Sequence, residues 1–106
     1  MPLGETGNAL RIALVGAGEV GTALLRLLLE EPGLTVVGVA DVKPDAPGVV
    51  FARERGIPIV LRPRDVFSFR PTVVIECTGD LSVFQDLSSL TPSGTELARL
   101  RGPRPG

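Results

Sequence analysis

Short, continuously apolar runs alternate along the chain with segments whose apolar residues recur every three or four positions. Arg11 to Val15, "RIALV", is the first run, of the kind a parallel sheet buries on both faces. From Val20 to Glu30 the period becomes helical and places Val20, Leu24, Leu27 and Leu28 on one stripe; "EPG" then stops the helix. Leu34 to Ala40, "LTVVGVA", reads as a second buried strand ending at Asp41. A Pro- and Asp-rich loop, "DVKPDAPG", leads to a helix over Val49 to Arg55, where Gly56 suits the left-handed position after a helix end. Ile57 to Leu61 is the third strand, "RPRDVFSFRP" carries one or two helical turns, and Thr72 to Cys77 is the fourth strand. Asp80 is placed to cap a helix with Leu81, Phe84 and Leu87 on one face. Ser93 and Glu96 have the spacing of a capping box, which predicts a short C-terminal helix holding Leu97 and Leu100.

This alternation predicts an α/β fold of three layers: a short parallel sheet of about four strands, order 3-2-1-4, joined by right-handed crossovers. The order reverses between strands 1 and 4, and ligands of open α/β sheets bind in the crevice at such a reversal. The expected organisation is a flexible N-terminus over residues 1–9, the α/β domain over 10–90, and a C-terminal helix with a frayed tail over 91–106. Four strands are slightly more than half of a full dinucleotide-binding sheet. Strand 4, apolar on both faces, would then be an open edge, and such edges invite pairing. The expected partner is a second copy, in a homodimer that buries strand 4 or the C-terminal helix.

Composition narrows the chemistry. Hydrophobic residues make up 43% and charged residues 22% of 106, an ordinary globular balance. A net charge of −1, with ten Arg and one Lys mostly scattered, argues against a nucleic-acid binder that neutralises phosphates. Cys77 is the single cysteine and there is no histidine, so a disulfide, a cysteine-rich metal site and a histidine base are all outside its means. Neither a secretory signal nor an apolar run of about 18 residues appears, and the expectation is a soluble cytoplasmic protein without a membrane partner.

The stretch after strand 1 is "GAGEVG", with Gly16, Gly18 and Gly21 spaced G-x-G-x-x-G around Ala17, Glu19 and Val20. Gly16 permits a tight turn, Gly18 admits a pyrophosphate to the backbone, and Gly21 lets the first helix lie close to the sheet. The helix start adds unpaired N–H groups and a partial positive charge. On its own the glycine pattern is weak; here it follows a strand, opens a helix and meets Asp41 twenty residues after Gly21. Asp41 stands where a carboxylate accepts the two hydroxyls of an adenosine ribose and repels a 2′-phosphate, favouring NAD over NADP. Val42 and Lys43 follow it, and the Lys43 charge offsets part of that repulsion, so NADP stays open. Glu19, an acid beside the proposed pyrophosphate, reads best as a first-turn residue that complements the helix dipole.

Together with "RIALVGAGEVGTALL" and "VVGVADVKPDAPG", the stretch "VVIECTG" resembles the N-terminal NAD(P)-binding, Rossmann-like domains of homoserine dehydrogenase, dihydrodipicolinate reductase and glyceraldehyde-3-phosphate dehydrogenase. It looks most like a related Rossmann-like module that occurs alone or fused ahead of bacterial signalling proteins. The resemblance spans roughly residues 10 to 90. It implies that Cys77, Thr78 and Gly79 lie along the cofactor, between pyrophosphate and nicotinamide ribose. The cysteine of this motif is not the catalytic one in those families, and Cys77 reads as a small core residue. Arg53, Arg55, Arg62 and Arg64 read as solvated surface.

In the families resembled, substrate-binding and proton-transfer residues come from a second domain, and nothing in this sequence stands in for it. The expectation is therefore an NAD(H)-binding module without catalysis of its own. A cofactor domain completed by another chain, a binder of coenzyme A or another adenine nucleotide, and a fold that has lost its ligand are the alternatives.

Overall fold

The structure, a computed structural model, describes residues 10–100. It contains β1 (Leu10–Val15), α1 (Glu19–Leu28), β2 (Leu34–Ala40), α2 (Pro47–Glu54), β3 (Ile59–Val60), a 3-10 segment (Pro63–Phe69), β4 (Val73–Glu76), α3 (Leu81–Leu90) and β5 (Glu96–Arg99). The five strands form one sheet in the order β3-β2-β1-β4-β5, and every neighbouring pair is parallel. The predicted order 3-2-1-4 is present, extended by one strand.

Period-two alternation on β1 splits the core between two faces. Leu14 faces one side with Val39 of β2, Leu25 of α1, and Val49 and Ala52 of α2. Ala13 and Val15 face the other with Val74 of β4, Val66 of the 3-10 segment and Leu87 of α3. Helices on both faces of a parallel sheet give the three layers. The β1–β2 register slips between Ile12 and Ala13, which pairs Ala13 with Gly38. There the Phe69 ring presses on Gly38 in the space a Cβ would need.

Several expectations are corrected. Residues 96–99 form a strand and not a helix: Glu96 N–H donates to Thr72 O at 2.9 Å and Leu100 N–H to Glu76 O at 2.8 Å. Gly94, at φ +90, turns the chain where the expected capping box would have opened a helix. With β5 in place, β4 lies inside the sheet between β1 and β5 and is not its open edge. The buried stripe of α1 is Gly21 and Leu25 flanked by Leu24, whereas Leu27 is 65% exposed. On α3 the inward face is Val83 and Leu87, and Leu81 is exposed. Pro47 begins α2 two residues before the expected start, its fixed φ suiting the first helical position. The expected tails over 1–9 and 101–106 lie outside the described residues. Among the described residues, no helix is long and apolar enough to cross a membrane.

Candidate functional site

The turn after β1 is built by contacts that only glycine tolerates. Gly16 has φ +95 and donates its N–H to Ala40 O at 2.8 Å. A Cβ there would also stand 2.9 Å from Thr78 N, so both backbone conformation and space require glycine. At Gly21 a Cβ would collide with the Gly16 carbonyl oxygen, so α1 can leave the turn only because residue 21 has no side chain. Ala17 is fully buried, and its carbonyl accepts the Gly48 N–H at 2.8 Å, tying α2 to the turn.

Gly18 differs from both. It is the N-cap of α1 in extended backbone, and a Cβ on it would meet nothing within 4 Å. No side chain caps α1, so its first-turn N–H groups keep their capacity for an outside acceptor.

Asp41 closes the turn from the end of β2. Its Oδ2 accepts the Ala17 N–H at 2.7 Å and its Oδ1 accepts the Lys43 N–H at 2.9 Å. Each oxygen retains a second acceptor position. The carboxylate is thus oriented by the protein itself, and the ribose role expected for it must share the group with this tie. Gly16, Gly18, Asp41, Val42, Lys43, Cys77 and Thr78 line a groove of about 350 Å³, together with Ala46 and Pro47 at the start of α2. A second hollow of about 230 Å³ opens beside it, walled by Val15, Ala40, Val42, Pro63 and Val83, with Asp41, Thr78 and Asp80 as its polar lining. Gly16, Asp41, Val42 and Thr78 belong to both, so the two hollows straddle the carboxyl ends of β1, β2 and β4. The crevice lies where the strand order reverses.

The wall after β4 is organised by a residue the sequence did not single out. Glu76 is fully buried. Its Oε2 accepts from Thr78 N–H at 2.6 Å, from the Thr78 hydroxyl, and from Gly79 N–H at 3.2 Å. Its Oε1 accepts from Arg99 Nε of β5 at 3.2 Å. Gly79, at φ +76, completes this tight loop. The Thr78 and Gly79 N–H groups therefore point at Glu76, and the Thr78 hydroxyl also accepts the Asp80 N–H at 3.0 Å. Of the three residues after β4 expected along the cofactor, Cys77 and Thr78 line the groove, and Gly79 shapes the loop beside it. The signal was available, because an acid closing a buried apolar strand needs donors.

Other expected residues stand apart. Glu19 is exposed and borders a shallow depression with Thr22, Ala23, Arg26 and Pro47, and Val20 lines neither hollow of the crevice. Burial, and then the neighbouring Glu76 charge, push the Cys77 thiol up to about 12, so it is a protonated wall group and not a nucleophile. Arg55 and Arg26 both lie over the Phe51 ring, at 3.5 and 4.4 Å from its centroid. Arg62 pairs with Asp65 and Arg64 with Asp86, and Arg53 is exposed. Among the described residues, no three His, Cys, Asp or Glu side chains come together as a metal site.

Comparison with known proteins agrees with this architecture. No protein-family profile matches the chain. Over 48 residues, 45% of its length, it is 42% identical to acetaldehyde dehydrogenase 3 of Burkholderia lata, a match that spans 16% of that enzyme. Among solved structures it is similar to a protein described as a dehydrogenase from Bordetella bronchiseptica RB50, with TM-score 0.70 and 17% identity. That match covers 85% of this chain and 24% of the other. It is also similar to an imine reductase from Pseudomonas sp., with TM-score 0.69 and 23% identity, covering 89% of this chain and 33% of the other. The fold is Rossmann-like, and the chain spans a third or less of each of these proteins.

Proposed function

We propose that the crevice binds the nicotinamide dinucleotide NAD(H). The observation that carries this reading is the open backbone at Gly18, at the uncapped start of α1, beside a carboxylate already oriented at Asp41. The pyrophosphate lies against Gly18 and the first-turn N–H groups, where the helix dipole favours an anion. The adenosine ribose hydroxyls donate to the free acceptor positions of Asp41. The adenine fills the mostly apolar hollow walled by Val15, Ala40, Val42, Pro63 and Val83. A 2′-phosphate would face the Asp41 carboxylate with only the exposed Lys43 to offset it, which favours NAD over NADP.

The chain acts in this reading as a cofactor-binding unit. Its crevice offers two carboxylates already engaged as acceptors, Asp41 and Asp80, and a protonated thiol, none of which is suited to move a proton for hydride transfer. A second reading makes it the cofactor-binding part of an oxidoreductase whose substrate residues lie elsewhere. The similarity to a dehydrogenase and a reductase of which it spans a third or less favours that reading. Calorimetric titration with NAD, NADH, NADPH and coenzyme A tests the first. NADH binding near micromolar, about −8 kcal/mol, with weaker NADPH, is expected. No nucleotide binding by the folded chain would refute it, and tighter binding of coenzyme A would reassign the crevice. NADH consumption with aldehydes or imines that appears only when a substrate-binding domain is supplied would establish the second, and turnover by the chain alone would contradict both.

A further inference from the structure

We propose that Glu76 and Arg99 are a positioning pair for the crevice, through which the seating of β5 and the occupancy of the crevice strengthen one another. The proposal rests on the dinucleotide reading above. Glu76 is a fully buried carboxylate whose acceptor positions are shared between two parts of the protein. Oε2 holds the Thr78–Gly79 loop through three donors, and Oε1 holds Arg99 on β5. Among the described residues, Arg99 is the basic side chain paired with this acid, and the pair is largely shielded, with the arginine side chain 18% exposed. The guanidinium also lies over the Phe84 ring of α3, at 5.6 Å, which fixes it from a third element.

The loop in question is the wall of the crevice. Thr78 borders both hollows, and its backbone N stands 2.9 Å from where a Cβ on Gly16 would be. A shift of this loop therefore moves into the glycine turn or away from the groove. Without Arg99, Oε1 would be a buried anionic oxygen with no donor among the described residues, and the carboxylate would have to turn toward water. That turn withdraws the acceptor that orders Thr78 and Gly79. β5 is held to the same residue a second way, because Leu100 N–H donates to the Glu76 carbonyl at 2.8 Å. A ligand that packs on the ordered wall must then favour the seated strand by the same factor by which the seated strand favours the ligand.

The test titrates NADH into the 106-residue chain, Arg99→Leu and Arg99→Lys, with thermal melts to verify folding. It also follows amide exchange of Leu97 to Leu100 with and without saturating NADH. Arg99→Leu is expected to weaken NADH about tenfold, Arg99→Lys to recover most of the loss, and NADH to slow Leu100 exchange by a similar factor. In ¹H–¹⁵N spectra the Thr78 and Gly79 amide signals move in Arg99→Leu and return in Arg99→Lys. A folded Arg99→Leu with unchanged affinity overturns the proposal while leaving the dinucleotide reading intact. Unchanged β5 exchange in the unsubstituted chain under saturating NADH does the same, and it needs no variant to fold. Failure of the unsubstituted chain to bind NADH brings down the dinucleotide reading, and this proposal with it.

Discussion

Gly18→Val separates ligand binding from folding, because Gly18 alone among the three turn glycines is left open by the protein. Its backbone φ of −76 suits any residue, and a Cβ placed on it meets nothing within 4 Å. The cost to the fold is that of a poorer helix start, about 1 kcal/mol against a total of roughly 5–10 for a domain this size. That lowers Tm by about 4–8 °C. The isopropyl group then occupies the space in which a pyrophosphate would meet the first-turn N–H groups. Loss of at least about 100-fold in NADH affinity follows, equivalent to roughly 2.7 kcal/mol.

The contrast with Gly21→Ala gives the argument its edge. That smaller substitution drives a methyl into the Gly16 carbonyl, which is backbone and cannot swing aside. It costs about 3 kcal/mol of stability through overpacking. Melts of both variants, followed by calorimetry on whichever is folded at 25 °C, settle the comparison. Native-like NADH affinity in Gly18→Val would show that no phosphate passes the turn there. Equal destabilisation by the two substitutions would show that the turn is closed at residue 18.

The remaining predictions concern the carboxylates and the thiol. Asp41→Ala strands the buried Ala17 N–H and loses about 2–3 kcal/mol, whereas Asp41→Asn keeps an acceptor for it and loses about 1 kcal/mol; equal melts for the two would disprove the tie. Asp41→Asn also narrows the gap between NADH and NADPH affinity, read by titration. Cys77, raised to about 12, reacts with iodoacetamide at pH 8 about a thousandfold more slowly in the folded chain than in urea, and comparable rates would contradict its burial. The hydrogen bonds from Ser82, first through its side chain, hold the Asp80 carboxyl below its ordinary value. Its folded value lies under the unfolded one, so its contribution is complete above about 4 and lost as pH falls through the folded value. The Tm difference between the unsubstituted chain and Asp80→Ala should therefore be steady at neutral pH and close in acid; a difference that persists at pH about 2 would place the effect elsewhere.

The central strands and the glycine turn were legible because their signals are local. "RIALV", "LTVVGVA" and "VVIE" are apolar in runs too short for helices, and the three turn glycines fall together between Gly16 and Gly21, directly after a strand and at the start of a helix. The fifth strand was not legible, for the opposite reason. Glu96, Leu97, Ala98 and Arg99 are all good helix formers, preceded by a plausible cap. Their alternation of outward and inward positions runs for only four residues, too few to show a period of two. The ladder to β4 and the Arg99–Glu76 pair, both distant in sequence, decide the outcome. Missing β5 also hid Glu76, since the partner that makes a buried acid tolerable there sits on the strand that was read as a helix.

The two carboxylates explain why the start of α1 is the place proposed for an anion. Asp41 takes the Ala17 and Lys43 N–H groups, and Glu76 takes those of Thr78 and Gly79, so four backbone donors around the crevice are already engaged. Holding the loops with acids brings negative charge toward a place proposed to receive two phosphates. Arg99 offsets one of those charges inside the protein, where little water screens it. Among the described residues the Asp41 charge has no ion-pair partner, and it is assigned to the ribose in the proposed reading. In the proposed reading a diphosphate sits at the helix start, while a 2′-phosphate on the ribose would meet the Asp41 carboxylate. On the dinucleotide reading NADH is expected to bind above NADPH, and Lys43→Ala, which removes an exposed cation two residues from Asp41, should widen that ranking in the titration.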